Sequence, residues 1–158
     1  KSLALGAFLH DIGKIGPETY QFADDEITVT GESAGNRQHP EQGAKLVLPL
    51  ELPAEVGQII AYHHERWDGS GYPFGLREEG IPQLARIVCL AQTLDHLTAE
   101  LPGRTPLSID DACQQMLSYA GTHFEPKLTE LFVRVVQECK ASLPAMAMAT
   151  TPTDRSDS

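Results

Sequence analysis

His10 and Asp11 stand side by side, His39 directly precedes Pro40, and His63, His64 and Glu65 run consecutively, with Trp67, Asp68 and Gly69 close behind. Imidazole and carboxylate are the ligands that hold divalent iron, manganese, nickel, zinc or cobalt. A lone His-Asp pair is ordinarily just an ion pair at a helix end. Here His10, His39, His63 and His64 all fall at helix ends or beside helix breakers, where side chains from different segments can converge on one ion. His63 and His64 would point about 100° apart on a regular helix, so they can share a cluster only near a helix end.

The elements that position these residues read as helices. Over residues 3–15, Leu5, Phe8, Leu9 and Ile12 recur at helical spacing, and Gly13 and Gly16-Pro17 mark the end. Further helices are expected over 40–48 and 54–64, separated by Pro49 and Pro53, the latter helix with an apolar stripe of Val56, Ile59 and Ile60. Pro82 opens a long helix to about 99, with Leu84, Ile87, Val88, Ala91, Leu94 and Leu97 toward the core. Ser108 starts another, with acids in its first turn, and it stops at Gly121. The last runs over 126–142 on Leu128, Leu131, Phe132, Val135 and Val136. Residues 17–37 read as a polar loop with a short β-like run at 27–30. Asp68-Gly69-Ser70-Gly71-Tyr72-Pro73 is turn chemistry. The prediction is an all-α domain of about six or seven helices over 1–143, with a disordered tail over 144–158. Lys1 begins inside an apolar periodic segment without a cap or initiator Met, and the natural chain is expected to continue upstream.

A chain of 158 residues with 41% hydrophobic content can bury a core of its own. Its formal net charge of −10, without any block of Lys or Arg, argues against binding along DNA or RNA polymers. A small phosphodiester stays accessible if a few cations gather at one site. Cys89, Cys113 and Cys139 are far apart and show no metal or disulfide spacing, which suits reduced thiols and a cytoplasmic location. No apolar run is long enough to span a membrane, and no membrane contact by this segment is expected.

The strings HDIGKIG at 10–16, His39-Pro40, HHERWDGSGYP at 63–73, ARI at 85–87 and GTHFEP at 121–126, in this order, resemble the HD-GYP family of the HD hydrolase superfamily. The resemblance covers roughly 3–135, and HHERWDGSGYP is its most specific element. It implies an HD-superfamily helical bundle that hydrolyses cyclic di-GMP to pGpG or GMP in bacterial signalling. It also implies one or two divalent ions per chain, iron or manganese first among them. Asp11 would bridge two ions, with His39, His63 and His64 on one and His10 on the other. Lys14, one helical turn from His10, would hold a phosphate oxygen, and Arg86 either contacts the nucleotide or forms a structural ion pair. Gly71, Tyr72 and Pro73 would shape the mouth of the site and offer a contact surface to a diguanylate cyclase domain. Glu65 and Asp68 would orient the imidazoles, Trp67 and Tyr72 could equally anchor the core, and His123 reads as structural.

Several positions depart from the family pattern. Gln92 stands where the family carries an Asp that ligates the first metal, and a carboxamide brings no negative charge. His96, one turn further on, could compensate as a ligand. Leu101-Pro102-Gly103-Arg104 replaces an R-P-Y-R segment, and the loop with Glu18, Asp24, Asp25, Glu26 and Glu32 is acidic where the family is often basic. The family's upstream helix, which adds ligands to the same metal, is missing from 1–143. These departures keep two alternatives open. One is a catalytically degenerate module used for signalling or protein interaction, and the other is a hydrolase of a different phosphate ester.

Overall fold

The computed structural model describes residues 1–15, 37–101 and 103–149. Among them the chain forms six α-helices and no strand: α1 (Ser2–Leu9), α2 (His39–Val47), α3 (Ala54–Tyr62), α4 (Gln83–Thr98), α5 (Ile109–Ser118) and α6 (Pro126–Ala149). The all-α bundle expected from the periodicity is therefore the observed architecture. α3 packs against α1, α2 and α4, and α4 passes the core on to α5 and α6. One apolar cluster joins Val47 of α2 to Val56 and Ile60 of α3, with Leu9 and Ile12 against it. A second joins Leu90 and Leu97 of α4 to Ala112 and Met116 of α5 and to Phe124.

The helix ends follow from local chemistry. Pro82 and Pro53 sit just outside α4 and α3 in extended conformation. The Ser108 hydroxyl oxygen accepts from the Asp111 N–H at 3.1 Å and caps α5. Gly121, at φ 88°, turns the chain between α5 and α6. The expected helix over 3–15 is broken in two. α1 stops at Leu9, His10 and Asp11 form a bend, and a 3-10 turn follows at Ile12–Lys14.

Two expectations need correction. Phe8 and Leu5 do not face the core: Phe8 is 85% exposed, and the one buried residue of α1 is Gly6. The segment is apolar on every side, so periodicity could not choose its inward face. Contact distance chose it, because a Cβ on Gly6 would lie 2.3 Å from Ile59 Cδ1. Likewise α6 does not end before Pro144 but continues to Ala149. The run of alanine and methionine there has high helix propensity, which offsets the hydrogen bond that proline removes. The expected loop at 17–36, including its β-like run and acidic residues, and the tail from 150 onward lie outside the described residues.

Two glycines show how tightly the bundle is drawn around the His-Asp bend. A Cβ on Gly13 would stand 2.0 Å from the His39 carbonyl oxygen and 2.6 Å from the Gly43 nitrogen, both backbone atoms of α2. Gly57, within α3, has no such neighbour within 4 Å. In urea denaturation, Gly13→Ala is expected to lower stability by about 1–3 kcal/mol through overpacking. Gly57→Ala is expected to raise it by about 0.5–1 kcal/mol through helix propensity. Equal effects at the two positions would contradict the close approach of the 3-10 turn to α2.

Candidate metal centre

Four side chains from three separate segments meet where α1, α2 and α3 end. Asp11 leaves the bend after α1, His39 opens α2, and His63 and His64 follow the last turn of α3. Because α3 ends at Tyr62, the two adjacent histidines escape the divergence that a continuing helix would impose. Each offers one ligand atom, and the four atoms lie within 4.8 Å of one another. His39 Nε2 is 3.0 Å from His64 Nε2 and 3.3 Å from His63 Nε2. Asp11 Oδ1 is 3.2 Å from His39 Nε2 and 3.7 Å from His63 Nε2.

The proton inventory explains why this cluster invites a cation. The His63 Nδ1–H donates to the Ile60 carbonyl at 2.9 Å, so its Nε2 presents a lone pair to the cluster. Burial holds the His63 imidazole neutral, with its pKa pushed down to about 3, and the neighbouring His64, His10 and His39 add to this against the pull of Asp11. Burial works to raise the Asp11 carboxyl, but His39, His63 and Lys14 outweigh it and hold it well below the ordinary carboxylate range. Asp11 Oδ1 is nevertheless buried without a hydrogen bond of good geometry among the described residues, although two imidazole nitrogens stand 3.2 and 3.7 Å from it. Two ligands around an ion at ~2.1 Å stand about 3.0–3.4 Å apart, depending on coordination number. The 3.0, 3.2 and 3.3 Å separations fall in that range and the 3.7 Å one lies just outside it, so the donor set fits a divalent metal after a small inward movement of its side chains.

The other oxygen of Asp11 faces different groups. Lys14 Nζ donates to Oδ2 at 2.7 Å, and His10 Nε2 is 3.4 Å from it. His10 directs its Nδ1–H to the Ala7 carbonyl at 2.7 Å, which again leaves Nε2 facing the site. Asp11 thus stands between a three-histidine side and a side with His10 and Lys14.

The loop after His64 is built inward. The Tyr72 ring stacks on His64, with centroids 4.8 Å apart and planes 18° from parallel. Gly71 permits this because a Cβ there would lie 2.3 Å from the Arg66 nitrogen and 2.5 Å from the His64 carbonyl oxygen. The Tyr72-Pro73 bond is cis. Arg37, from the turn before α2, lies over the Tyr72 ring at 5.5 Å. Glu65 does not orient the imidazoles. Its two oxygens instead accept the Phe74 and Leu76 N–H groups at 2.8 and 2.9 Å and fasten the loop. Burial pushes its carboxyl above the usual range, although those N–H groups and that of Gly75 favour the ionised form. Asp68 closes its own turn, accepting from the Ser70 N–H and hydroxyl. The loop is further tied to the α5–α6 connection, where the Trp67 and Asp68 N–H groups donate to the His123 and Thr122 carbonyls.

Two sequence-derived candidates are placed elsewhere. Arg86 pairs with Glu125 and lies over the Trp67 ring at 5.6 Å. This ion pair ties α4 to the start of α6, the structural alternative named for Arg86 beside a nucleotide contact. His96 is not among the gathered ligand atoms. Its Nε2 is 2.8 Å from Arg104 Nη1, and its carbonyl accepts from Arg104 Nη2. Its Nε2 is thus occupied by a guanidinium, and His96 stands outside the gathered group of Asp11, His39, His63 and His64. Gln92 is half-buried on the same helix. The sequence reading missed the clamp made by Glu65 and the position of Arg37, since neither spacing nor residue type distinguishes them from surface charges.

A helical bundle that gathers an adjacent His-Asp pair and three further histidines at its helix ends defines the class of HD-type metal domains. The HD domain model matches residues 1–128. A cyclic di-GMP phosphodiesterase of Thermotoga maritima is 34% identical over 138 residues, which cover 86% of this chain and 38% of that protein. A 3'3'-cGAMP-specific phosphodiesterase 2 of Vibrio cholerae is 34% identical over 142 residues, which cover 86% of this chain and 27% of that protein. Among solved structures, an HDG"Y"P protein from Bdellovibrio bacteriovorus shares the fold at TM-score 0.63 and 23% identity, with 86% of this chain and 43% of that one covered. A cyclic GMP-AMP specific phosphodiesterase of V. cholerae does so at TM-score 0.66 and 23% identity, with 96% and 40% covered. The chain belongs to the HD domain family. It spans well under half the length of these relatives.

Two measurements follow from the geometry. Metal content by plasma mass spectrometry is expected to fall to background in His63→Ala and Asp11→Asn but to stay unchanged in His96→Ala; loss of metal in His96→Ala would restore it as a ligand. The metal-free protein is expected to lose stability as pH falls from about 6.5 toward about 3. Across that window the unfolded chain protonates His63 and the folded chain does not, so acid favours the unfolded state. An unfolding free energy that stayed flat across the window would contradict a buried, neutral His63.

Proposed function

We propose that this domain is a metal-dependent phosphodiesterase whose substrate is a cyclic dinucleotide, cyclic di-GMP in the first place, opened to pGpG and onward to GMP. The observation that carries this reading is the gathering of Asp11, His39, His63 and His64 around an Asp11 oxygen that is buried and unsatisfied among the described residues. The relatives' names point to the same chemistry. A bound metal, iron or manganese by preference, supplies activated water and counter-charge for the phosphate.

The chain's own groups prepare the rest. His63 holds its proton on the Ile60 carbonyl and keeps Nε2 available. Asp11 stays ionised at any working pH. Lys14, half-exposed on Asp11 Oδ2, can turn its ammonium to a phosphate oxygen when substrate enters. Tyr72 covers one face of His64 and fixes its ring plane. Water adds across one phosphodiester bond: its oxygen bonds to phosphorus, the ring's ribose oxygen leaves, and the leaving oxygen takes up a proton. The free thiols of Cys89, Cys113 and Cys139 suit the cytoplasm, where such second messengers act. A diguanylate cyclase docking on the 71–73 loop would meet Phe74 first, since Tyr72 is turned onto His64 while Phe74 is 59% exposed.

Gln92 favours a second reading, a binding module with one ion and no turnover, because a neutral carboxamide replaces an expected anionic ligand. Anaerobically purified protein loaded with iron, manganese or nickel separates the two. Hydrolysis of cyclic di-GMP that drops about a hundredfold or more in Asp11→Asn and His63→Ala supports the enzyme. No hydrolysis with any of the three metals, together with at most one ion per chain that rises in Gln92→Asp, supports the module and overturns the enzyme.

A further inference from the structure

We propose that Arg37 is a substrate-binding residue, whose guanidinium takes the phosphate of a cyclic dinucleotide that is not being cleaved. The inference rests on the phosphodiesterase reading above and adds a subsite to it. Arg37 is exposed, in the turn two residues before His39, so the segment that delivers a cluster histidine delivers this cation too. Its guanidinium lies over the Tyr72 ring at 5.5 Å, and that ring stacks on His64 at 4.8 Å. The cation is therefore two ring contacts from the metal cluster and exposed at the surface beside it.

Stacking on an aromatic face limits the motion of a guanidinium while leaving its N–H edge free to form bidentate bonds with a phosphate. A cyclic dinucleotide carries its two phosphates on opposite sides of one ring. With one phosphate at the cluster, the other lies a ring's width away, toward the mouth. The charge distribution makes this position informative. In a chain of net charge −10, Lys45, Arg86 and Lys140 are paired to Glu41, Glu125 and Asp110, and Arg104 is turned to His96. Among the described residues, Lys14 and Arg37 have contacts that place them at the cluster and at its covering ring.

Manganese-loaded wild type, Arg37→Ala, Arg37→Lys and Lys45→Ala can be assayed on cyclic di-GMP and on bis(p-nitrophenyl) phosphate, which has a single phosphate. For cyclic di-GMP, Arg37→Ala is expected to raise KM about tenfold or more. Metal content and kcat should change little, Arg37→Lys should recover part of the loss, and Lys45→Ala should match wild type. On the single-phosphate diester, Arg37→Ala should match wild type as well. An unchanged KM for cyclic di-GMP would overturn the inference alone. So would metal loss in Arg37→Ala, or an equal loss on both substrates, because either outcome assigns Arg37 to holding Tyr72 and His64 in place. A wild type that leaves cyclic di-GMP intact with every metal would overturn the phosphodiesterase reading and this inference with it.

Discussion

Three imidazole nitrogens and a carboxylate oxygen stand 3.0–3.7 Å apart across the Asp11, His39, His63 and His64 contacts, and the proton of at least one imidazole is committed elsewhere. Nitrogens and a carboxylate oxygen buried this close must share either protons or a cation, so the bundle holds an arrangement that a cation would relieve. Rigid packing is what makes it possible. Gly13 lets the 3-10 turn press on the α2 backbone, Gly6 brings α1 onto Ile59, and α3 ends one residue before its two histidines. Each of these features shortens a distance that the cluster needs short.

The loop from Glu65 to Leu76 serves the same constraint from outside. Glu65 is almost fully buried and accepts two backbone N–H groups. Gly71 leaves no room for a side chain between the loop and the His64 backbone. Tyr72 then has one place to go, the face of His64. Behind the loop, the Arg86–Glu125 pair and the His123 and Thr122 carbonyls fix the α5–α6 connection against Trp67 and Asp68. The structure therefore gives the GYP triplet a physical task, holding a cluster histidine in plane, whatever else docks on its outer surface.

Much of this was legible in the sequence, and the gaps have identifiable causes. Helix periodicity found all six helices of the described residues, although α1 ends at Leu9 and not at 15, α6 runs to Ala149 and not to 142, and Leu131 and Val135, read as part of the inward face of α6, are 52% and 48% exposed. Turn residues and adjacent histidines marked the segments that converge. What periodicity could not give was the orientation of α1, which is apolar all round and seated by a glycine contact. Nor could spacing tell which partner a long cationic side chain reaches. Arg86 and His96 share faces of α4 with residues near the core, yet each is drawn to a group distant in sequence, Glu125 in one case and Arg104 in the other. Long-range pairing of flexible charges is set by tertiary packing, and no local pattern encodes it.

The acidity of the chain sharpens what the site must do for itself. With a net charge of −10, the long-range field repels an anionic ligand, so capture depends on short-range groups that are desolvated or held in place. A metal in the cluster would supply the strongest of these, and Lys14 is already fixed beside it by Asp11. The lysine's present partner is the same carboxylate that a second ion would need. A substrate phosphate that drew Lys14 away would free the Asp11 oxygen for a second ion, so the two would favour each other's binding. Gln92, a neutral carboxamide, would bring no counter-charge to such an ion, and the Asp11 oxygen would then matter the more to it.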